Sequence, residues 1–310
     1  MRKIVICLII IAITFINVQS QNTDSIFSKF RNKYPFWSVL VPGATHFIDG
    51  NVGKGLAFSL SETALITGGL VFNHAIQREN TDAMNVPLLF GQQVYVMDKY
   101  DYLRKSLGLI KEFQPSFQYE TASTKELMLA PFKLKNIFSG LCLGFIGYAV
   151  VDALISYHGT TSYKYKDISK VYFINQYVNR NDGTAYYGAS AAMVSYGAGV
   201  SEEMLFRGYM LPLFDLRMGQ GKGLALTTAL FSAAHLPSYL QINNPYILLY
   251  GVTEITTLGY LMGRNVQNHN YHLGQAIAAH AWFDFTVMVT AWLMNPESNP
   301  LGFSLQFTID

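Results

Sequence analysis

Charge is what this sequence has least of. Only 14% of its 310 residues are Asp, Glu, Lys or Arg, against roughly a quarter in an average soluble domain. The formal net charge is +2, and no basic tract, RNA-binding signature or zinc-finger spacing occurs. Nucleic acid is therefore excluded as a partner on electrostatic grounds. Cysteine is nearly missing: Cys7 lies in an apolar N-terminal stretch and Cys142 in a second apolar run. Once the N-terminal stretch is removed, no internal disulfide can form, and no zinc site can be built on cysteine thiolates. There is no repeat of solenoid period, no low-complexity tract and no His-Glu-x-x-His sequence.

What the chain has instead is apolar length. Half of its residues are hydrophobic. Arg2 and Lys3 precede an apolar stretch at 4–16, and Val18-Gln19-Ser20 resembles a small-x-small cleavage site. That stretch is too short to span a hydrocarbon layer of ~30 Å, so residues 1–20 read as a cleaved signal peptide. Residues 21–34 are polar. Residues 35–47 are apolar but broken by Pro42-Gly43, which suggests a short span or a re-entrant segment, followed by a glycine-rich turn at 50–55. Residues 56–75 are expected to span.

Residues 77–135 differ in kind, with eight Lys/Arg and seven Asp/Glu. Tyr95, Tyr100, Tyr102 and Arg104-Lys105 suggest an interfacial amphipathic helix within a large extramembrane loop, placed on the cytoplasmic side by its basic residues. A span is expected at 136–157 and a polar loop at 158–181. Beyond it, residues 223–296 contain only Glu254, Arg264 and Asp284 as formal charges. Turn signals divide that stretch into spans at 223–235, 246–263 and 272–294. The fold class expected is all-α: a multi-pass transmembrane bundle of about seven to eight helices. Its parts are an N-terminal region at 21–135 with a short helical hairpin and a polar loop, a membrane domain at 136–294, and a polar tail at 295–310.

Ionisable residues at membrane depth are expensive, so each is a functional candidate. Glu202 and Glu203 end an uncharged run at 183–201. Glu203 and Arg207 are four apart and share a helix face, whereas Glu202 points about 100° away and is left for another task. His235 closes an apolar span behind the small residues Ser232-Ala233-Ala234. His280 and Asp284 are again four apart. Taken singly, each of these has a bland reading as a satisfied core group. Taken together, three helices each present an acid or a histidine at depth. Such groups are cheapest around one shared, water-holding cavity, and that is the composition of a hydrolytic site. Glu62, Asp152 and Glu254 match no motif and read as helix–helix polar contacts. His46, His74, His158, His269 and His272 read as solvated or structural.

Glu202-Glu203-Met204-Leu205-Phe206-Arg207, then Phe231-Ser232-Ala233-Ala234-His235, then His280-Ala281-Trp282-Phe283-Asp284, in this order and in apolar helices, resemble the type II CAAX prenyl endopeptidase family. This is the CPBP group of intramembrane metalloproteases, which includes bacterial bacteriocin-processing and immunity proteins. Leu258-Gly259-Tyr260-Leu261-Met262-Gly263-Arg264 resembles the family's glycine-bearing helix before the last motif. The resemblance covers about residues 139–294, half of the chain.

It implies an endopeptidase acting on a membrane-proximal or lipidated peptide, with Glu202 activating the attacking water and His235 assisting. Glu203 and Arg207 would orient the site, and His280 and Asp284 would stabilise the oxyanion. Asp284 stands where many eukaryotic members have Asn, which strains the oxyanion role and favours metal coordination. Zn²⁺ held by His235, His280 and Asp284 is thus one expectation, and a metal-free glutamate mechanism fits the same residues. The alternative function is a catalytically silent membrane scaffold or bacteriocin self-immunity protein; a metal or proton transporter is weaker still. The partners implied are a peptide substrate and the lipid bilayer of a bacterial inner membrane.

Overall fold

In the computed structural model, the residues described are 30, 32–72, 85–158, 169–173, 176–240 and 245–294. The expected signal peptide and the polar tail lie outside them. The chain is all-α apart from one small antiparallel hairpin. Seven described helices have 19 residues or more: α3 (Val52–Phe72), α4 (Val86–Phe113), α7 (Gly140–His158), α8 (Arg180–Leu205), α10 (Gln220–Tyr239), α11 (Pro245–Asn268) and α12 (Gly274–Met294). Each is long enough to cross a bilayer at 1.5 Å rise per residue. Among the described residues, α3 and α12 also qualify by composition over 18 residues, and Gly140–Leu154 of α7 is a shorter apolar stretch. The molecule is a helical integral membrane protein.

The Pro42-Gly43 break separates two five-residue helices, α1 (Phe36–Leu40) and α2 (Ala44–Ile48). Gly43 has φ +68°, and a Cβ there would lie 2.2 Å from the Gly55 carbonyl oxygen, so a side chain is excluded twice over. The backbone released at the break is satisfied by side chains of α3 and α4. Tyr95 donates to Val39 O (2.7 Å), Lys99 Nζ to Val41 O (2.8 Å) and Ser59 Oγ to Pro42 O (2.7 Å), while Gly43 N–H donates to Asp98 Oδ2 (2.9 Å). Broken backbone away from water requires such partners. The glycine-rich stretch expected as a turn at 50–55 is instead half turn and half helix, since α3 begins at Val52.

The largest departure from expectation is α4. A loop with a surface-lying amphipathic helix was expected at 77–135, yet α4 is a 28-residue helix packed between α3 and α8. Met97, Tyr100, Tyr102, Leu103 and Leu107 are buried. Its charges mislead because two of them, Asp98 and Lys99, are themselves buried against the α1–α2 hairpin. Pro87 sits in its first turn, where a missing N–H costs nothing, and Asn85 caps it by accepting from Leu88 N–H.

After α4 come α5 (Thr124–Met128), closed by a Ser123/Glu126 capping box, a 3₁₀ turn at Ala130–Phe132, and α6 (Leu134–Ile137). Strands β1 (Lys170–Phe173) and β2 (Gln176–Asn179) pair antiparallel, with Val171 opposite Val178, in the stretch expected to be a plain polar loop. β1 packs on the first turns of α8, where a Cβ on Gly183 would come within 2.0 Å of Val171. Helix α7 packs on α12, α12 packs on α8, and α10 packs on α11. Helices α8 and α12 approach so closely that a Cβ on Gly199 would lie 2.6 Å from the Ala281 backbone nitrogen.

Candidate active site

Helix α8 carries Glu202 and Glu203 in its last turn, then passes into a π-helical turn at Phe206–Met210 before α9 (Leu211–Met218). π turns inside α-helices are rare and occur mostly at functional sites. This one places Arg207 fully inside the protein. Arg207 Nη1 donates to Glu203 Oε1 (2.8 Å), and Nη2 donates to the Gly259 carbonyl on α11 (3.0 Å). Its guanidinium lies 4.0 Å from the centroid of the Phe231 ring on α10, a cation–π contact in a site where few other groups can solvate the charge. Glu203 and Arg207 are both buried.

The same Glu203 oxygen receives His280 of α12. His280 Nδ1 lies 2.9 Å from Glu203 Oε1. That oxygen only accepts, so the hydrogen is on Nδ1. The other ring nitrogen, Nε2, lies 3.5 Å from Asp284 Oδ2. His280 is therefore clamped between two carboxylates from two helices, and its ring stands edge-on to Phe231 at 5.9 Å.

Glu202 faces elsewhere, as its 100° rotation from Glu203 requires. Its Oε2 lies 3.4 Å from His235 Nε2. His235 Nδ1 is 2.8 Å from the Phe231 carbonyl, which can only accept, so Nδ1 carries a hydrogen. In the neutral ring, Nε2 then presents a lone pair toward a carboxylate oxygen. A proton or a water held by both groups would satisfy two acceptors at that separation. Accessibility separates the two halves of the site. The side chains of Glu202, His235 and Asp284 are 28%, 19% and 29% exposed, whereas those of Glu203, Arg207 and His280 are 0%, 1% and 6%.

Residues 186–286 match the family model described as Type II CAAX prenyl endopeptidase Rce1-like. The match covers 101 of the 310 residues, and over that segment the chain is similar to this family. All six residues singled out from sequence fall inside the matched segment, and the family is one of intramembrane proteases. No curated protein and no solved structure matches the chain.

The zinc expectation fares differently from the family. Among the described residues, no three His, Cys, Asp or Glu side chains form a group able to hold one ion. His280 uses both ring nitrogens on Glu203 and Asp284, and His235 uses Nδ1 on a backbone carbonyl, so His235, His280 and Asp284 do not converge as ligands. As arranged, these residues do not fit a zinc ion.

Two contributors had no role of their own in the sequence reading, and a third had only a structural one. Phe231 stood in a motif only as a marker, yet its ring contacts Arg207, His235, His280 and Phe206. Gly259 acts through its carbonyl, and a Cβ there would press on Phe231 at 3.0 Å and on Arg207 at 3.3 Å. Asp152 on α7 accepts from Tyr250 of α11, whose hydroxyl also bonds Tyr148 (2.9 Å). That contact fulfils the helix–helix role expected of Asp152. Tyr148 in turn stacks on Phe283, next to Asp284.

Proposed function

We propose that this chain is an intramembrane endopeptidase that hydrolyses a membrane-proximal peptide with a water activated by Glu202. The observation that supports the reading best is the Glu202–His235 pair: two proton acceptors 3.4 Å apart, both partly open, beside a sealed electrostatic frame. Water between them and the substrate carbonyl would lose its proton to Glu202. His235, with its Nδ1–H held by the Phe231 carbonyl, presents Nε2 to take that proton on and return it to the leaving amine.

Glu203, Arg207 and the Nδ1 side of His280 touch nothing that reacts. They fix the imidazole plane and so the direction of Nε2 toward Asp284. A proton shared between Nε2 and Asp284 would offset the Asp284 charge and so ease the difficulty of an anionic carboxylate near a developing oxyanion. The signal-like N-terminus favours a bacterial inner membrane as the setting, and hence a substrate other than a prenylated eukaryotic peptide.

The test is cleavage of a mixed fluorogenic peptide library by the full chain in detergent, wild type against Glu202→Gln, with and without a strong chelator. The reading expects turnover that disappears in Glu202→Gln and survives the chelator. Equal signals from two well-folded proteins would overturn it in favour of a binding or immunity role.

A further inference from the structure

The catalytic helix α12 is reached through a strained turn. Asn270 and Tyr271 both have positive φ, 54° and 65°, although neither is glycine. A bulky aromatic residue stays in the left-handed region only where its surroundings over-determine it. Here they do. Tyr271 N–H donates to Val266 O (2.8 Å), and its hydroxyl donates to the buried Asp215 Oδ2 (2.7 Å), which also accepts from Gln267 (2.8 Å). That anchors the turn to α9 and α11.

The second anchor comes from far away in sequence. Glu120, 2% exposed, accepts the Leu273 N–H through Oε2 at 2.8 Å, immediately before α12 begins. Its Oε1 accepts from Ala122 N–H (2.8 Å), which fixes the carboxylate in its own turn, and His272 Nδ1 lies 3.7 Å from that oxygen. The turn is tied to α4, because Arg104 Nη1 donates to the carbonyls of Thr121 (2.7 Å) and Ala122 (2.9 Å). Further along the same segment, the Asn136 side chain lies so close to Gly274 that a Cβ there would meet it at 2.9 Å, and Pro131 O accepts from Trp282 Nε1 (2.9 Å). The segment at 120–136 thus holds α12 at three heights: Leu273, Gly274 and Trp282. It lies outside the residues that match the family.

We infer that Glu120 is a positioning residue for the catalytic helix. An α-helix is axially stiff, and His280 follows Leu273 by two turns, about 10 Å. A carboxylate at the positive end of α12 holds that end electrostatically as well as by its hydrogen bond. The height and rotation set at Leu273 therefore determine whether His280 Nδ1 meets Glu203 Oε1 at 2.9 Å. The N-terminal region, through α4 and Glu120, would be part of the active-site frame rather than an appendage.

The inference rests on the endopeptidase reading only for its activity readout. In the full chain labelled with ¹⁵N-histidine, the His280 Nδ1–H resonance, assigned by its loss in His280→Asn, reports the Glu203 contact directly. Glu120→Ala is expected to shift or broaden it and to lower kcat on the order of 10²-fold with KM little changed, the usual result of a misplacement near 1 Å. Glu120→Gln keeps one acceptor oxygen for Leu273 N–H but loses the charge and the second acceptor for Ala122 N–H, so it should restore both in part. Trp282→Phe removes only the Pro131 contact and should move the resonance part-way; it carries the test if Glu120→Ala does not fold. An unmoved resonance in folded Glu120→Ala, or in Trp282→Phe where that variant stands in, overturns the inference even if the wild type cleaves peptides. A displaced resonance sustains it even if no peptide is cleaved, in which case the endopeptidase reading alone falls.

Discussion

Asp98 and Glu203 sit at the centres of two buried polar clusters built from nearly the same side chains. Around Asp98 stand His46 Nε2 at 3.0 Å, Lys99 and the Gly43 N–H, with Glu62 of α3 in the same buried group. Around Glu203 stand His280, Arg207 and, one face away, Glu202 with His235. Composition does not distinguish them; accessibility does. His46, Glu62, Asp98 and Lys99 are all at most 3% exposed, and Asp98 and Lys99 bond to the backbone of a broken hairpin. The second cluster is sealed on the Glu203 side and open on the Glu202 side. Buried charge alone therefore marks structure as readily as chemistry, and the mark of a reactive site is an ionisable pair at the edge of a sealed one.

That contrast can be broken most severely at Glu202. Glu202→Gln is expected to lower peptide hydrolysis by at least about 10³-fold, in line with loss of an essential base, while thermal unfolding in detergent stays within a degree or two of wild type. A large drop in melting temperature would place Glu202 with the structural cluster instead. Asp98→Ala should do the reverse. It strands Lys99 and leaves Gly43 N–H without its acceptor, so it should destabilise the fold by about 3–5 kcal/mol, read as loss of the monodisperse peak in detergent chromatography.

Glu203→Ala combines both faces of the comparison. It removes the partner of a buried arginine and of His280, so about 3–5 kcal/mol of stability and the activity should fall together. A stable but inactive Glu203→Ala would mean that Glu203 is chemical rather than positional.

A smaller effect is expected at the seam between α8, which carries Glu202 and Glu203, and α12, which carries His280. Gly199→Ala puts a methyl 2.6 Å from the Ala281 backbone nitrogen and should cost about 1–3 kcal/mol through overpacking, with the His280–Glu203 contact loosened. The smallest effect lies at the edge of the N-terminal cluster. Burial raises the Asp49 carboxyl, but hydrogen bonds from Lys105, Tyr34 and Lys33 outweigh it and hold the group below its ordinary value. A depressed carboxylate contributes stability above its unfolded pKa and loses it as pH falls through the folded one. Asp49→Asn should therefore flatten the acid side of the stability curve below the usual carboxylate range and leave neutral pH almost unchanged; an unaltered acid limb would remove Asp49 from the network.

How much of this was legible beforehand varies with the range of the interaction. The i, i+4 spacing was enough to pair Glu203 with Arg207 and to place His280 and Asp284 on one face, because a helix converts sequence distance into geometry. Span positions were readable from apolar length, with α10, α11 and α12 displaced from their expected limits by a few residues. Helix α4 was misread because its charges were counted as exposed, whereas burial of Asp98 and Lys99 depends on a hairpin about fifty residues earlier. The Glu202–His235 pair was foreseeable only as a grouping.

The sequence by itself determined an all-α membrane protein with a segment similar to this family, and the local pairing within α8 and α12, since these rest on composition and on short, periodic spacing. Tertiary structure alone decided which nitrogen of each histidine carries its hydrogen, which carboxylate stays open, that Gly259 serves through its carbonyl, and that Glu120 holds the start of α12. Apart from the local His235–Phe231 contact, those depend on contacts between residues 33 to 153 positions apart, and a side chain's role at such a distance is set by what packing leaves exposed and what it seals.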